Sequence, residues 1–402
     1  FDVGGTSADI GLIVNGTYSE ASARDTWIGG YPVMAPTIDI NTIGAGGGSI
    51  AYIDDGGAFR VGPESAGAHP GPAAYGHGSD KSTVTDAHLV LGRLLQGNFL
   101  GGEMNLDLAA AIGVIDELAR QLKLDREETA EGIITVVNAN MANAIRSRTV
   151  QKGHDPREFS LVAFGGAGPL HGVDVARILG IPEVIIPPYP GITSAVGLLT
   201  TDLKYDAIRT EFQTSVQIDS DRLNNDFNRM QVELASQFEK DELSEHDVTY
   251  TRSGDLRYVG QGYELRVPFA NVPIDETILA EVFQAFETIH IREYGHVFEQ
   301  SPIEIVNIRL TGSRRMPKIK LRTGEAKPGA TLSAFDERQC FFRVDDSLQA
   351  LDTPLYQRAQ LTTGHRVTGP AIIVQKDTTI AVPPGALATA DASSNLLIDT
   401  GV

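Results

Sequence analysis

The first ten residues, FDVGGTSADI (residues 1–10), place a glycine turn between two short apolar strands. Residues 1–3 have the character of a buried strand end, and residues 9–14 return as a second strand. The turn GGTS, residues 4–7, contains two glycines whose N–H groups can approach a bulky anion, because no Cβ blocks the path. The pattern predicts a β-hairpin whose turn binds an anion.

Two more glycine-rich turns follow predicted strands, GAGGGS at residues 44–49 and FGGAGP at residues 164–169. Successive backbone amides in such turns form an anion-binding nest. Asp2 and Asp9 flank the first turn, and carboxylates with retained waters are the ligands that Mg²⁺ prefers. Together these features predict a site for a nucleotide phosphate and its magnesium ion. For each turn alone, ordinary hairpin geometry or close packing is favoured over phosphate binding.

Other phosphate-binding and catalytic motifs are absent from the sequence. Lys81 and Ser82 follow Asp80 rather than a glycine, so no G-x-x-x-x-G-K-[ST] loop is present. Ser65 lies in PESAG, with Pro63 at the place of the first glycine of a G-x-S-x-G elbow, and no H-E-x-x-H pair occurs. These absences leave the glycine turns as the main chemical signal.

The composition excludes several classes of protein. A net charge of −19 argues against a general nucleic-acid binder, which needs a basic face. The sequence contains no run of 18 apolar residues, so no membrane span is predicted. A single cysteine, Cys340, excludes an intrachain disulfide and favours a reducing, cytoplasmic compartment. The 402 residues are enough for two or three domains.

The middle of the chain has helical periodicity and then a βαβ pattern. Leucine and isoleucine between residues 108 and 118 share one helix face, and Asp125 with Glu128 forms a capping-box signal for a second helix. The apolar face of that second helix is predicted at Ile133, Val137, Met141 and Ile145. FSLVAFGG (159–166) and EVIIPP (183–188), with a helical segment between them, predict a parallel strand pair.

The character of the sequence changes after about residue 207. An acidic helical pattern at residues 222–243 precedes alternating strands at 255–269 and 304–313, which suits an α+β domain. Residues 325–402 consist of short β segments with turn signals.

Four side chains between residues 69 and 88 are of metal-ligating types: His69, His77, Asp86 and His88. Their spacing is not typical of a metal site, and loop histidines are commonly solvated or hydrogen-bonded. Asp86 precedes the apolar run AHLVLGRLL, which favours a helix N-cap.

Other polar residues have a structural interpretation beside a functional one. His171 lies at a helix start, where a satisfied core or surface histidine is favoured over a catalyst. Arg146 and Arg148 suit a solvated helix face better than contacts with a phosphate or a partner. An ordinary polar strand face and an interface account equally well for Asp255, Arg257, Tyr258 and Gln261.

Six segments in order resemble one protein family. They are FDVGGTSADIGLI, GAGGGSIAYID, RVGPESAGAHPGPAAYG, TVTDAHLVLGRL, GHDPREFSLVAFGGAGPLHG and PPYPGITSAVGLL. The chain resembles the hydantoinase A / 5-oxoprolinase family, of the N-methylhydantoinase A kind, which also includes the ATP-using components of acetone and acetophenone carboxylases. The resemblance extends over essentially the whole chain.

The resemblance implies an α/β fold with an actin-like ATPase (ribonuclease H-like) core portion and a C-terminal α+β/β domain. The core portion is expected at residues 1–206, the α+β domain at 207–320, and a small β-rich region at 321–402. In that fold residues 1–9 look like the second of two phosphate loops. An earlier D-x-G-G-T loop is absent from this sequence, so the chain is expected to be the C-terminal portion of an A-type subunit, with an incomplete ATP site.

The resemblance also implies roles for individual residues. Asp2 would act on magnesium or the attacking group, and Asp9 is the second expected catalytic carboxylate. Gly4, Gly5, Thr6 and Ser7 would bind the phosphates, and Gly165, Gly166 and Gly168 would border the adenosine. Gly46, Gly47 and Gly48 are added to the expected cofactor-binding residues because of their glycine-rich turn. The cofactors would be ATP and Mg²⁺.

The implied activity is ATP-dependent opening of a cyclic amide such as a hydantoin or 5-oxoproline, within a hetero-oligomer that contains a B-type subunit. A non-catalytic assembly module and a component of a ketone carboxylase remain alternatives. Two positions bear on the substrate. Ala74 stands where many relatives have cysteine, and His69 matches the oxoprolinase type, which leaves the substrate open.

Overall fold

The computed structural model describes residues 1–21, 27–28, 31–32, 37–241, 247–298, 300–318 and 332–402. The chain forms two compact units, Phe1–Val196 with Leu321–Val402, and Gly197–Lys320. The boundary expected between residues 320 and 321 lies outside the described residues, as does the end of the acidic segment at 242–243.

The helices are α1 Val84–Val90, α2 Leu108–Leu122, α3 Arg126–Thr149, α4 Gly168–Leu179, α5 Thr193–Thr200, α6 Ser220–Lys240 and α7 Glu276–Tyr294. The strands of the first half are β1 Asp2–Val3, β2 Ala8–Gly11, β3 Ile13–Val14, β4 Thr17–Tyr18, β5 Glu20–Ala21, β6 Trp27–Ile28, β7 Tyr31–Pro32, β8 Thr37–Ile38, β9 Ile40–Ile43, β10 Ser49–Ile53, β11 Phe59–Ser65, β12 Ser160–Val162 and β13 Glu183–Ile186. The later strands are β14 Leu203–Thr214, β15 Val248–Tyr258, β16 Leu265–Phe269, β17 Ile303–Arg314, β18 Asp336–Val344, β19 Ser347–Gln357, β20 Arg366–Thr368, β21 Ala371–Val374, β22 Thr379–Val382, β23 Leu387–Ala390 and β24 Leu396–Asp399.

The first unit is built on several small sheets around α3. The β1–β2 hairpin continues into β9, and β12 and β13 form the predicted parallel pair, with α4 as the connection between them. The predicted apolar face of α3 is confirmed, because Ile133, Val137, Met141 and Ile145 are all buried in the core of this unit.

The C-terminal β segments belong to the same unit as the N-terminal residues. β24 pairs with β13 in a five-stranded sheet of order β12-β13-β24-β23-β20. A second sheet has the order β18-β19-β21-β22. Backbone pairing thus joins segments more than 200 residues apart, whereas the sequence-based division into three consecutive parts stays a prediction.

The second unit is α+β. Its sheet has the order β14-β17-β15-β16, and every pair of neighbours is antiparallel. Leu223, Phe227 and Phe286 of α6 and α7 pack into its core. Within the sheet Asp255 accepts from Arg309 at 2.8 Å and Arg257 from β15 donates to Glu304 of β17, so these side chains bind neighbouring strands.

Two predicted helix caps are wrong in detail. Asp125 occupies the N-cap position of α3, but its side chain makes no capping hydrogen bond, and Glu128 instead pairs with Arg343 at 3.0 Å. Asp86 is not the N-cap of α1. Thr83 is, and Asp86 is the third helical residue of a capping box with Thr83.

Asp86 has a second structural role. Its carboxylate also accepts hydrogen bonds from the backbone N–H groups of Ala74 at 2.7 Å and Ala73 at 3.2 Å. The side chain is fully buried, and burial raises its pKa. One carboxylate therefore ties the start of α1 to the loop that precedes it.

Among the residues that the structure describes, no helix is long and apolar enough to cross a membrane.

We predict that Asp86→Ala lowers the free energy of unfolding by about 3 kcal/mol, because several buried N–H and O–H donors lose their acceptor. The matched control is Asp55→Ala, at an exposed position, for which we expect a change of at most about 0.5 kcal/mol. Denaturant unfolding of the three proteins measures both values. Equal losses for the two variants would contradict the role assigned to Asp86.

Candidate active site

The first glycine turn, residues 4–7, joins β1 to β2 in a register that pairs Asp2 with Asp9 and Val3 with Ala8. Gly4 donates its N–H to the carbonyl of Ser7 at 3.0 Å, which closes the turn. Gly5 and Thr6 are exposed at its tip, and within the described part of the chain their N–H groups make no hydrogen bond. Two backbone donors are therefore available to an anion.

The second turn, residues 44–49, is packed directly against the first. Gly47 and Gly48 donate their N–H groups to the carbonyls of Gly4 and Gly5, at 3.0 and 2.6 Å. Gly46 donates to the hydroxyl of Ser49 at 2.8 Å, and a Cβ on Gly46 would lie 2.8 Å from the carbonyl oxygen of Gly4. These glycines permit close packing, and their N–H groups are engaged within the protein.

The third turn, residues 164–169, holds the other edge of β1. Val3 donates its N–H to Phe164 at 3.0 Å, and its carbonyl accepts from Ala167 at 2.9 Å. Gly165 has φ +81°, and a Cβ there would lie 2.3 Å from Oδ1 of Asp2. Gly168 is the first residue of α4. The structure thus brings the three predicted turns together around one short strand.

The turns form one wall of a cleft, called the glycine cleft here. The other walls are formed by side chains from residues 75–100, from α4 and from residues 375–379. The residues that line the glycine cleft are Gly4, Gly5, Gly47, Tyr75, Val84, Thr85, His88, Leu94, Phe99, Leu100, Gly166, Ala167, Leu170, His171 and Gln375–Thr379.

The turn between β21 and β22, QKDTT at residues 375–379, supplies a wall that was not predicted from the sequence. Asp377 accepts from the N–H of Gly191 at 2.8 Å, and Thr378 donates its hydroxyl to the carbonyl of Gly166 at 3.0 Å. The turn follows the third glycine turn by about two hundred residues, so no local motif connects the two. Its only signal is a polar interruption between two buried apolar strands.

Two buried histidines lie in the floor of the glycine cleft. Nε2 of His88 is 3.4 Å from Nε2 of His171, and Nδ1 of His171 is 2.7 Å from Oδ1 of Asn138. Burial lowers the pKa of His171 to about 3 and that of His88 well below its usual value. The expectation of a hydrogen-bonded core histidine at position 171 is therefore confirmed.

Asp2 and Asp9 do not line the glycine cleft. They line a neighbouring groove, called the carboxylate groove here, together with Thr42 and Ser194. Ser194 donates to Asp2 at 3.3 Å, and Thr42 donates to Asp9. Burial raises the pKa of Asp2, although the bond from Ser194 opposes this shift. The predicted carboxylates and glycine amides therefore lie on two sides of the same hairpin.

The two loop histidines and the two arginines singled out in the sequence lie outside the glycine cleft. The rings of His69 and His77 are both exposed with centroids 5.5 Å apart, and no cluster of three or more metal-ligating side chains occurs within the described ranges. Arg148 pairs with Asp39 at 2.9 Å, and Arg146 donates to the carbonyl of Ile178 at 3.0 Å. Arg146 is exposed, as expected for a solvated helix face, whereas Arg148 is half-buried and lines the carboxylate groove.

Family models match nearly the whole chain. Residues 1–207 match the hydantoinase/oxoprolinase model, and residues 211–398 match the hydantoinase/oxoprolinase C-terminal domain. The chain belongs to the hydantoinase/oxoprolinase family.

Two curated relatives show how much of a family member is present. The chain is 34% identical to the alpha subunit of caprolactamase from Pseudomonas jessenii, over 100% of the chain and 58% of the relative. It is 33% identical to 5-oxoprolinase 1 of Arabidopsis thaliana, over 99% of the chain and 32% of the relative. The chain thus spans about a third of the length of one relative and somewhat less than three fifths of the other.

Two solved structures share the fold. ATP-dependent caprolactamase from Pseudomonas jessenii superimposes with a TM-score of 0.83 at 33% identity, covering 100% of this chain and 58% of its own. Nucleotide-free acetone carboxylase gives 0.82 at 26% identity, covering 99% and 57%. The predicted fold class is confirmed, an α/β actin-like ATPase core portion with a further α+β unit.

We predict that Gly165→Ala lowers the free energy of unfolding by roughly 3 kcal/mol or more, because positive φ strain adds to a clash of the new Cβ with the backbone carbonyl oxygen of Val3, 2.4 Å away. Gly153 has nearly the same backbone conformation, φ +80°, with open space around it. Gly153→Ala is therefore the matched control, with an expected loss of about 1 kcal/mol. Denaturant unfolding gives the difference, and equal losses would refute close packing at Gly165.

Proposed function

We propose that this hydantoinase/oxoprolinase family member binds ATP in the glycine cleft and uses it to hydrolyse a cyclic amide. The observation that carries the proposal is the joining of three glycine turns around β1, with the free N–H groups of Gly5 and Thr6 at the tip. Such amides favour negative charge because each presents a partial positive charge. Relatives named as ATP-dependent caprolactamase and 5-oxoprolinase support the same assignment.

The chemistry requires activation of an amide carbon, which is a poor electrophile. In the proposed reaction the amide oxygen attacks the γ-phosphorus of ATP, and ADP leaves with the electrons of the broken P–O bond. Water then adds to the activated carbon, and the ring C–N bond breaks with proton transfer to nitrogen, which leaves an acyl phosphate. A second water attacks the carbonyl carbon of the acyl phosphate, and phosphate leaves with the electrons of the broken C–O bond. The products are a linear amino acid, ADP and phosphate.

The protein contributes position and electrostatics, where most of the catalysis of phosphoryl transfer lies. Gly5 lines the glycine cleft and would donate its N–H group to a phosphate oxygen. Thr6 and Ser7 lie outside the lining of the cleft, at the tip of the hairpin, where the N–H of Thr6 and the two hydroxyls would bind a phosphate that extends past Gly5. Gly47 and Gly48 hold this turn in place through hydrogen bonds to the carbonyls of Gly4 and Gly5.

Asp2 and Asp9 fit a magnesium ion by their chemistry. Both are oxygen donors on one groove, each already oriented by a hydroxyl group. Mg²⁺ typically takes one or two carboxylates together with water and phosphate oxygens, so no larger cluster is needed. Asp2 would hold the ion in the carboxylate groove, where it would neutralise charge on phosphates that extend from the glycine cleft round the tip of the hairpin.

The partner is proposed to be a B-type subunit, in a hetero-oligomer. The relative from Pseudomonas jessenii is named as an alpha subunit, which supports an assembly of more than one kind of chain. The buried free thiol of Cys340 agrees with a cytoplasmic location. A role as part of a ketone carboxylase is the second candidate, because acetone carboxylase shares the fold at 26% identity.

We predict that the full-length protein with its partner subunit releases ADP faster when a hydantoin, 5-oxoproline or caprolactam is added. A coupled assay of ADP release measures this, with acetone plus bicarbonate as the carboxylase arm. Stimulation by the ketone alone would replace the proposal with the carboxylase. No stimulation by any of them would leave the non-catalytic module.

We further predict that Asp2→Asn lowers kcat for cyclic-amide-dependent ADP release by about 10²–10³-fold, because a charge placed at the transferring phosphoryl group is lost. Asp55→Asn, at an exposed position outside both grooves, is the control and should leave kcat unchanged. An unchanged kcat in Asp2→Asn would remove Asp2 from the catalytic machinery.

A further inference from the structure

A line of three buried side chains ends in an unused acceptor at the floor of the glycine cleft. The line runs from Asn138 through His171 to His88, by contacts of 2.7 and 3.4 Å. Among the described residues, Nδ1 of His88 has no hydrogen-bond partner although it is buried. A buried polar atom without a partner is unusual in a folded protein and needs an explanation.

The contacts along this line indicate which nitrogen of each imidazole ring carries the proton. Both imidazoles are neutral, because each is fully buried and the guanidinium of Arg93 disfavours a further positive charge. Oδ1 of Asn138 can only accept, so Nδ1 of His171 carries the proton and donates it. Nε2 of His171 is then an acceptor, and Nε2–H of His88 donates to it. Nδ1 of His88 is left with a lone pair.

The surroundings of His88 suit a flat ring. Tyr75 and Phe99, with ring centroids 5.8 Å apart, line the glycine cleft together with the aliphatic Leu94 and Leu170. The glycine turns line the same cleft with backbone groups. The apolar walls and the acceptor at His88 suit a planar base, and the backbone amides of the glycine turns suit an anionic group of the same ligand.

We propose that Nδ1 of His88 accepts a hydrogen bond from the exocyclic amino group of adenine and thereby selects adenine over guanine. This inference rests on the proposed function, in which the glycine cleft holds ATP. Guanine presents a carbonyl oxygen at the same ring position, so two lone pairs would face each other in a buried site. Sites built to pair a donor discriminate well against analogues that lack it.

The N–H group of a cyclic amide substrate could also donate a hydrogen bond to Nδ1 of His88. The N–H group of Gly5 in the cleft favours the nucleotide, because it has no acceptor among the described residues and would donate to a phosphate oxygen. The cyclic amide therefore becomes a separate arm of the test.

The first experiment uses the wild-type full-length protein with its partner subunit. Isothermal titration measures the Kd of ATP, of GTP and of purine riboside triphosphate, which lacks the 6-amino group. We expect the purine analogue to bind about three- to tenfold more weakly than ATP, as for one hydrogen bond, and GTP at least as weakly. Equal affinities for ATP and the purine analogue overturn the inference and leave ATP binding intact. Absence of ATP binding overturns the proposed function as well.

The second experiment uses two variants of His88. His88→Leu removes the acceptor. The Kd of ATP should therefore rise by about three- to tenfold, while the Kd of the purine analogue should not change. His88→Asn places an amide oxygen near the position of Nδ1 and should restore part of the preference for ATP. A rise in the KM of the cyclic amide without a change in the Kd of ATP overturns the adenine assignment. Thermal unfolding checks each variant, and the wild-type series decides the matter if a variant does not fold.

Discussion

The backbone of β1 is the element on which the site depends. Val3 is hydrogen-bonded on one side to Phe164 and Ala167 of the third turn, while the carbonyls of Gly4 and Gly5 accept from the second turn. This arrangement works only if backbones approach more closely than a Cβ allows at Gly46, Gly48 and Gly165. The turns therefore form one rigid wall, and the amides that remain free, at Gly5 and Thr6, are held in position by those that are not.

That arrangement explains which parts of the site the sequence could predict. The three turns were recognisable because glycine clusters after apolar strands are local features. The sequence could not predict which of their N–H groups are free to bind a ligand, because this depends on contacts between residues 4–5 and 47–48. Asp86 shows the same limit. Its place before an apolar run predicts a helix start, but its bonds to Ala73 and Ala74 depend on how the preceding loop folds back.

Long-range pairing accounts for the remaining differences. The periodicity of α3 and the βαβ pattern were predicted correctly, since both arise from residues close together in the sequence. The pairing of β24 with β13 and the placement of residues 375–379 beside Gly166 have no counterpart in local sequence. A hairpin from the C-terminal part of the chain completes the cleft, and only tertiary packing could show that the tail contributes to the site.

The electrostatics of the cleft follow from burial rather than from net charge. A chain with a net charge of −19 repels an anion at long range, but salt screens such fields within about 10 Å at ordinary ionic strength. Inside the cleft the nearby groups decide. Two lining side chains, Lys376 and Asp377, are of opposite charge type, and the backbone amides along the glycine turns and the two imidazoles in the floor are neutral. The turns present hydrogen-bond donors, and His88 presents an acceptor. These groups favour one orientation of a ligand without carrying a net charge. A ligand with a negative end and a donor end therefore meets complementary groups in only one of its two orientations.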